Sequence, residues 1–331
     1  MRAFHLTGGG IDGLAMRNHP DPEPGTDEVA VRVEATSLNY RDLMIARRVG
    51  NDRIPLSDGA GVVTAVGDGV TSVTVGDRVA GTFFAHWVDG RAFPAMHDAA
   101  LGGSVDGMLA EVVVAPEHGV IPVPAGWSSA QAATLPCAAL TAWNALVEGQ
   151  PLLAGQTVLL LGTGGVSVFG LQLAKAMGAR TIITSSSDAK LEVMRAMGAD
   201  VTINYATTPE WDRAVLDATG GVGVDLVLEV GGAGTLPLSI ASTRFDGQVA
   251  LIGILTGPAG ETNPFPLVTR CLSLRGVYVG SRRMFAEMNA AIEVAGIEPV
   301  IDRTFAFDQA PDAYRHLTSQ QHIGKVVIDH T

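Results

Sequence analysis

The residues with the clearest chemical meaning form a glycine-rich turn, Gly162-Thr163-Gly164-Gly165-Val166-Ser167. An apolar run at 158–161 precedes this turn, and an apolar segment of helical character follows it as far as Met177. Glycines at such a turn let the backbone approach a pyrophosphate, and the free amides of the helix N-terminus face its negative charge. The segment therefore predicts a dinucleotide site, and the alternative is a tight turn that serves only packing. Ser167 stands where the complete motif has a third glycine, so we expect looser contact between helix and strand.

A second polar group follows the next predicted strand. It consists of Ser185-Ser186-Ser187, with Asp188 and Lys190 shortly after. An NAD site usually offers a carboxylate to the ribose hydroxyls about 20 residues after the first glycine. Hydroxyls and an ammonium at this place suit a 2′-phosphate instead, which favours NADP(H). The alternative is an exposed helix cap with a solvated lysine.

Composition excludes several classes of protein. The chain has 331 residues, with 34 acidic and 22 basic side chains and a formal net charge of −12 at pH 7. This charge argues against a general affinity for nucleic acid or for an anionic membrane. Two cysteines cannot build a disulfide framework or a four-cysteine zinc lobe. The N-terminal segment lacks the apolar core of a signal peptide, and no apolar run reaches about 18 residues, so we expect a cytoplasmic protein.

The elements that must position these residues change character along the chain. Up to residue 122, short alternating strands such as 29–35 are separated by turn residues, which is typical of a small antiparallel barrel or sandwich. From Thr157, apolar strands alternate with helices of about three turns, which indicates a parallel sheet covered on both faces. The last segment mixes helices with a final strand at 325–328. The sequence thus predicts an α/β protein whose parallel sheet is inserted within another domain.

Further segments carry a resemblance to a known family. They are Ser37-Leu38-Asn39-Tyr40-Arg41-Asp42, Gly59-Ala60-Gly61-Val62-Val63, Val75-Gly76-Asp77-Arg78-Val79, Leu135-Pro136-Cys137-Ala138-Ala139-Leu140-Thr141-Ala142-Trp143 and Gly324-Lys325-Val326-Val327. With them, the chain resembles the medium-chain dehydrogenase/reductase superfamily, and most of all its zinc-free quinone oxidoreductase-like branch. The resemblance implies a GroES-like β-barrel catalytic domain at 1–124 and 275–331. It also implies a Rossmann domain, a doubly wound parallel sheet that binds NADP(H), at 125–274, with the active site in the cleft between the two domains.

The resemblance also implies the cofactor contacts. Tyr205 follows Lys190 at the interval where reductases of this branch place a tyrosine on the 2′-phosphate, and two later positions fall where the family's backbone holds the nicotinamide. Lys325 is either a further cofactor contact or a lysine at a strand edge. The residues expected to bind NADP(H) are therefore Thr141, Thr163, Gly164, Gly165, Val166, Ser185, Lys190, Tyr205, Ile252, Val277 and Lys325.

Zinc is not expected. In the alcohol dehydrogenases of the superfamily, catalytic zinc is bound by a cysteine, a histidine and a second cysteine or acidic residue. By motif, these positions fall on Asn39, Ser57 and Cys137. One thiolate without partners of the required type does not make a tetrahedral site of nitrogen and sulfur ligands. His86 and His97, in a loop without cysteines, are expected to be solvated or to face substrate, so we predict no metal.

Chemistry without a Lewis acid depends on placing nicotinamide C4 against an electrophilic carbon, which suits a quinone or a conjugated enone. The predicted catalytic residues are Asn39, Tyr40 and Asp42. The Asn39 amide would serve the nicotinamide ribose or a substrate oxygen, and Asp42 would orient its neighbours. Tyr40 is the nearest phenol that could give a proton, and it could equally be an aromatic that packs in the barrel.

The sequence leaves two alternative functions open and also predicts an oligomeric state. The chain could be a metal-independent NADP(H) alcohol or aldehyde oxidoreductase, which assays with alcohols against enones would separate from the first function. It could also be a non-catalytic NADPH-binding protein, which would bind the cofactor without turnover across a panel of carbonyl compounds. Apolar strands late in the Rossmann segment, together with the resemblance, imply a homodimer.

Overall fold

A computed structural model describes residues 1–47 and 52–331. The chain divides into two compact units, one formed by Met1–Leu140 with Val279–Thr331 and the other by Thr141–Tyr278. Residues 125–140, assigned by sequence to the nucleotide-binding domain, belong to the first unit, and residues 275–278 belong to the second. Both boundaries between the units therefore lie later in the chain than the domain boundaries that the sequence predicted.

Strands and helices both occur along the whole length of the chain. The strands are β1 (Arg2–Leu6), β2 (Leu14–Asn18), β3 (Glu28–Leu38), β4 (Asp58–Val66), β5 (Arg78–Gly81), β6 (Val112–Pro116), β7 (Val120–Pro122), β8 (Thr157–Leu161), β9 (Arg180–Ser185), β10 (Val201–Asn204), β11 (Val224–Glu229), β12 (Thr243–Leu251), β13 (Ser273–Gly276), β14 (Ile301–Ala306) and β15 (Lys325–Asp329). The helices are α1 (Tyr40–Ala46), α2 (Ser129–Ala132), α3 (Leu140–Val147), α4 (Gly165–Ala176), α5 (Asp188–Ala196), α6 (Trp211–Ala218), α7 (Leu236–Ser242), α8 (Phe265–Thr269), α9 (Arg282–Ala295) and α10 (Ala310–Thr318). A short π-helical turn at Leu135–Ala139, called the π-turn below, joins α2 to α3. Within the described residues, no helix is long and apolar enough to cross a membrane.

The first unit contains a sheet with the strand order β14-β15-β3-β4-β5-β7, and β6 also pairs with β3. Neighbours from β15 to β7 are antiparallel, as the short alternating strands predicted, whereas β14 lies parallel to β15. The alternation expected for 29–35 holds in part, since Val29, Val31 and Val33 are buried and Arg32 is exposed, whereas Ala30 is buried as well. The pairing of β15 with β3 brings the last strand of the chain beside one of the first.

The second unit holds a wholly parallel sheet with the order β10-β9-β8-β11-β12-β13. In order of appearance these strands read 3-2-1-4-5-6, which is the order of the Rossmann fold. The chain runs from β8 to one edge and returns to the other side of β8 with β11. The carboxyl ends of β8 and β11 therefore form the switch point where sheets of this kind bind ligands. The predicted α/β class is confirmed.

Close packing of α4 on the sheet depends on Gly170 and Ser167. A Cβ atom on Gly170 would lie 2.9 Å from Leu228 Cδ2 and 3.0 Å from Leu160 Cδ2, so only glycine fits without displacing the core. Ser167 is buried, and its hydroxyl donates a hydrogen bond of 2.6 Å to the carbonyl of Leu161 at the end of β8. The looser contact expected from Ser167 is thus wrong, because its hydroxyl ties the helix to the strand and Gly170 provides the close approach.

Candidate functional site

The glycine-rich turn leads from β8 into α4 and leaves open space above it. Gly162 has φ +74°, a conformation that favours glycine. Apart from the residues next to each glycine in the chain, no heavy atom of residues 1–47 or 52–331 lies within 4 Å of a Cβ built on Gly162 or on Gly164. Gly164 is the residue before α4, and because it has no side chain it cannot accept a hydrogen bond from the first amides of the helix. This open, amide-lined turn fits a pyrophosphate.

Backbone hydrogen bonds bring the expected 2′-phosphate residues to one edge of the sheet. Ser185 ends β9, and its carbonyl accepts a hydrogen bond of 3.0 Å from the amide of Tyr205, which follows β10. Ser187 begins α5, where its hydroxyl oxygen accepts from the amide of Lys190 at 3.4 Å. The Asp188 carboxylate accepts from the Asn204 side-chain amide at 2.7 Å. The residues predicted to bind the 2′-phosphate therefore lie on adjoining segments at the carboxyl ends of β9 and β10.

The positions expected to hold the nicotinamide also lie at the carboxyl ends of strands in this sheet. They follow β12 and β13, whereas the 2′-phosphate residues follow β9 and β10. The amide of Ile252, just beyond β12, donates to the carbonyl of Glu229 at 2.8 Å. Val277 follows β13 and is buried, and its amide donates to the carbonyl of Leu251 at 2.9 Å. Thr141 is buried near the start of α3. Their contacts with a cofactor stay predictions.

Glu229 is a structural residue beside the candidate site that sequence reasoning missed. Its carboxylate is fully buried at the end of β11, and it accepts hydrogen bonds from the amides of Gly231 (2.6 Å) and Gly232 (2.9 Å) and from the hydroxyl of Thr235 (2.6 Å). The hydroxyl of Ser239 also donates to it. The carboxylate therefore fixes the loop between β11 and α7, beside the switch point. The sequence does contain a signal for this residue. It is an acidic residue that ends an apolar run, and two glycines follow shortly after it.

The first unit contains a buried polar cluster around Lys325, formed by Asn39, Ser57, Asp58, Cys137 and Lys325. The side chain of Lys325 is 2% exposed, and its ammonium donates to Asn39 Oδ1 at 2.6 Å and to Asp58 Oδ2 at 3.4 Å. The Ser57 hydroxyl donates to Asp58 Oδ1 at 2.7 Å, and the Cys137 amide donates to Asp58 Oδ2 at 3.3 Å. The positions where related dehydrogenases would bind zinc thus meet here around a lysine. We call this group the Lys325 cluster.

Metal-binding capacity of these side chains is poor. Burial, together with the Asp58 carboxylate, raises the pKa of the Cys137 thiol above its usual range, so the side chain is a neutral thiol. Zinc is bound by thiolate sulfur rather than by a thiol. Within the described part of the chain, no three His, Cys, Asp or Glu side chains are grouped to hold a metal ion. His86 and His97 are both exposed, in agreement with one of the two alternatives that the sequence left open.

Two of the predicted catalytic residues begin α1. Tyr40 is half-buried and packs against the apolar core of the first unit, which agrees with its alternative interpretation as a packing aromatic. Asp42 is buried, and its carboxylate accepts from the Asn39 backbone amide at 2.7 Å and lies 3.5 Å from the Arg41 guanidinium. This contact ties Asp42 to the backbone of Asn39, and the orienting role of Asp42 stays a prediction.

Comparison with known proteins finds relatives that are all of the alcohol dehydrogenase kind or share its fold. The family profile described as "Alcohol dehydrogenase GroES-like domain" matches residues 25–125, and the profile described as "Zinc-binding dehydrogenase" matches residues 165–294. A zinc-type alcohol dehydrogenase-like protein of Schizosaccharomyces pombe is 43% identical, over 96% of each chain. A solved NAD-dependent alcohol dehydrogenase is 32% identical, with a TM-score of 0.90 and 100% of both chains covered. A mycobacterial protein complexed with NADPH is 29% identical, with a TM-score of 0.84 and 100% of both chains covered. These matches confirm the predicted GroES-like and Rossmann architecture.

Because Asp42 is buried, we predict that the stability of the folded protein depends on pH. Asp42→Asn, which replaces the carboxyl group with an amide, should remove this dependence. The desolvated carboxylate has a pKa raised to about 6, against about 3.9 in an unfolded chain. The folded protein therefore keeps a proton that the unfolded chain releases between about pH 4 and pH 6, so stability falls as pH rises through this window. Relative to Asp42→Asn, the wild-type free energy of unfolding should decrease by about 2 kcal/mol between about pH 4 and pH 7.

Urea unfolding of both proteins at constant ionic strength measures this difference. Asp308→Asn, at an exposed position, is the matched control and should follow the wild-type profile. Parallel profiles for wild type and Asp42→Asn would show that the Asp42 carboxyl does not titrate in this range.

Proposed function

Because the chain belongs to the medium-chain dehydrogenase/reductase superfamily of alcohol dehydrogenase-like NAD(P)-dependent oxidoreductases, we propose that it is a zinc-independent NADPH reductase of quinones or α,β-unsaturated carbonyl compounds. The observation that carries this proposal is the Lys325 ammonium, which lies within hydrogen-bond distance of Asn39 and Asp58. A buried cation already occupies the group of side chains where a related dehydrogenase would bind its metal.

The residues of the second unit suit NADP(H). The amides at the start of α4 would hold the pyrophosphate, and Ser185, Lys190 and Tyr205 would hold the 2′-phosphate. Thr141 and the backbone of Ile252 and Val277 would contact the nicotinamide. When bound, NADPH supplies a hydride from nicotinamide C4. The complex of the mycobacterial relative with NADPH supports this choice, and the hydroxyls and ammonium after β9 support it independently.

Zinc does not fit the donor set of the Lys325 cluster. Asn39 offers a neutral amide and Ser57 a neutral hydroxyl, neither of which is a usual zinc ligand. Cys137 offers one sulfur ligand, which without histidine or a further cysteine does not complete a tetrahedral site. A metal ion would also have to displace the ammonium from Asp58. We therefore derive no step through a metal.

A conjugated acceptor suits this chemistry better than a saturated alcohol. Hydride addition to a quinone or an enone places negative charge on an oxygen, where a hydrogen bond from the protein can stabilise it. Oxidation of an alcohol requires removal of a proton from a hydroxyl of high pKa, for which metal ions are the usual aid. In this proposal Asn39 is the hydrogen-bond donor and Asp42 orients it. Tyr40 or water supplies the proton that neutralises the anion formed by hydride addition.

A second candidate is an alcohol or aldehyde oxidoreductase. It is favoured by the names of the Schizosaccharomyces pombe relative and of the NAD-dependent alcohol dehydrogenase. A homodimer is proposed as well, because β13 is an edge strand and the neighbouring side chains of Phe265, Val268 and Tyr278 are exposed. Sedimentation velocity at micromolar concentration would reveal a monomer if this assembly is wrong.

The substrate class is tested by a panel of acceptors. Purified protein with NADPH should consume the cofactor with quinones and enones, at rates that a strong chelator does not change, because no step needs a metal. Absorbance of NADPH measures turnover. Turnover confined to alcohols and aldehydes would replace this proposal with the second candidate. Tight NADPH binding without turnover across the panel would indicate a non-catalytic binding protein.

The phosphate assignment is tested at Lys190. Lys190→Ala should raise the KM for NADPH by about 10-fold or more, because a charge-assisted hydrogen bond to phosphate is lost, and should barely change the KM for NADH. Lys175→Ala is the matched control, since Lys175 forms an ion pair with Asp200 at 2.9 Å. Equal effects of Lys190→Ala on both cofactors would remove Lys190 from the 2′-phosphate site.

A further inference from the structure

The geometry points to Lys325 as a positioning residue that acts through Asn39. It holds the Asn39 carboxamide so that the Nδ2 hydrogens face the substrate and stabilise the negative charge that develops on the substrate oxygen. This role rests on the proposed function. It differs from both interpretations that the sequence left open for Lys325, a cofactor contact and a lysine at a strand edge.

The orientation of the Asn39 amide follows from the chemistry of its partner. An ammonium can donate hydrogen bonds but cannot accept them. Since Lys325 Nζ lies 2.6 Å from Asn39, the atom facing it must be Oδ1, which leaves Nδ2 on the other side of the carboxamide. Replacement of the ammonium by a neutral group would remove this constraint and let the amide turn over.

Nδ2 of Asn39 is a donor without an acceptor. It is buried from water and has no hydrogen-bond partner in residues 1–47 and 52–331. A buried donor left in this state destabilises the folded protein unless another molecule supplies an acceptor. The oxygen of a quinone or an enone is such an acceptor, and it accepts more strongly once the hydride has been added. The donor is thus prepared for the charge that forms during the reaction.

Lys325 itself has no capacity for a further ligand. Its ammonium carries three N–H groups, and they are matched by the carbonyl of Leu38 at 2.9 Å, Asn39 Oδ1 and Asp58 Oδ2. Asp58 is held in turn by the Ser57 hydroxyl and the Cys137 amide. A cofactor phosphate could bind Lys325 only by breaking one of these contacts. The lysine is therefore rigidly held, as a residue that orients another must be.

The backbone of Asn39 is fixed as firmly as its side chain. Its amide donates to Asp42 Oδ2 at 2.7 Å, at the first turn of α1. The side chain is held from β15 through Lys325, and the main chain from α1 through Asp42. Rotation of the carboxamide is the freedom that remains, and Lys325 Nζ removes it.

The test uses a pair of substitutions that removes the ammonium without leaving a buried charge. Lys325→Met alone would leave the Asp58 carboxylate unpaired and could unfold the protein, so it is combined with Asp58→Asn. We expect the Lys325→Met/Asp58→Asn protein to unfold in urea close to wild type and to bind NADPH with an unchanged Kd, measured by fluorescence. Its kcat with cyclohexenone should fall by about 10–100-fold, the size of effect typical for loss of an orienting partner. Lys175→Met is the matched control and should keep wild-type kcat.

Non-additivity with Asn39→Ala distinguishes positioning from a general structural effect. If Lys325 acts through Asn39, adding Asn39→Ala to the Lys325→Met/Asp58→Asn protein should lower kcat no further than Asn39→Ala does alone. Additive losses would overturn the proposal, and so would wild-type kcat in the paired variant or an effect confined to the KM or Kd of NADPH. If wild-type protein fails to turn over every quinone and enone, the proposed function falls together with this role. Active wild type with an equally active paired variant overturns the role alone.

Discussion

The buried ion pair between Lys325 and Asp58 is the interaction on which the candidate active site depends. Moving both charges out of water is costly, so such a pair is tolerated only where the remaining donors and acceptors are satisfied. Here the ammonium also donates to Leu38 and Asn39, and the carboxylate accepts from two further groups. The pair therefore holds β15, the end of β3, the start of β4 and the π-turn in one arrangement. Loss of one partner alone would leave an unpaired buried charge, at a cost of about 3–5 kcal/mol.

The second unit uses a buried charge in a similar way. The Glu229 carboxylate at the end of β11 is satisfied by backbone amides and hydroxyls of the loop that follows it. Parallel strands bring their carboxyl ends to one edge, so the loops that follow β8, β9, β10, β11 and β12 all start there. The glycine turn leaves room at this edge, and Glu229 keeps a neighbouring loop in place. Each unit thus has a buried charge whose hydrogen bonds fix the backbone beside the residues of the candidate site.

Local patterns in the sequence predicted much of this arrangement. The glycine turn, the parallel sheet and the serine run depend on neighbouring residues, and all are found where the spacing indicated. The pairing of Lys325 with Asp58 could not be predicted, because the two residues are 267 positions apart and meet only through the pairing of β15 with β3 and of β3 with β4. The packing of α4 was mispredicted at Ser167 for a related reason. The motif gives the usual residue at this position, which is glycine, but it does not show that a serine hydroxyl can hold the helix to the strand by a hydrogen bond.

We propose that a lysine ammonium occupies the place of a metal ion in this protein. Elemental analysis after incubation with excess zinc and removal of unbound ions tests it most directly, with turnover of NADPH measured on the same sample. We expect far less than one zinc ion per chain and unchanged activity. Stoichiometric zinc that is lost together with activity on chelation would contradict it.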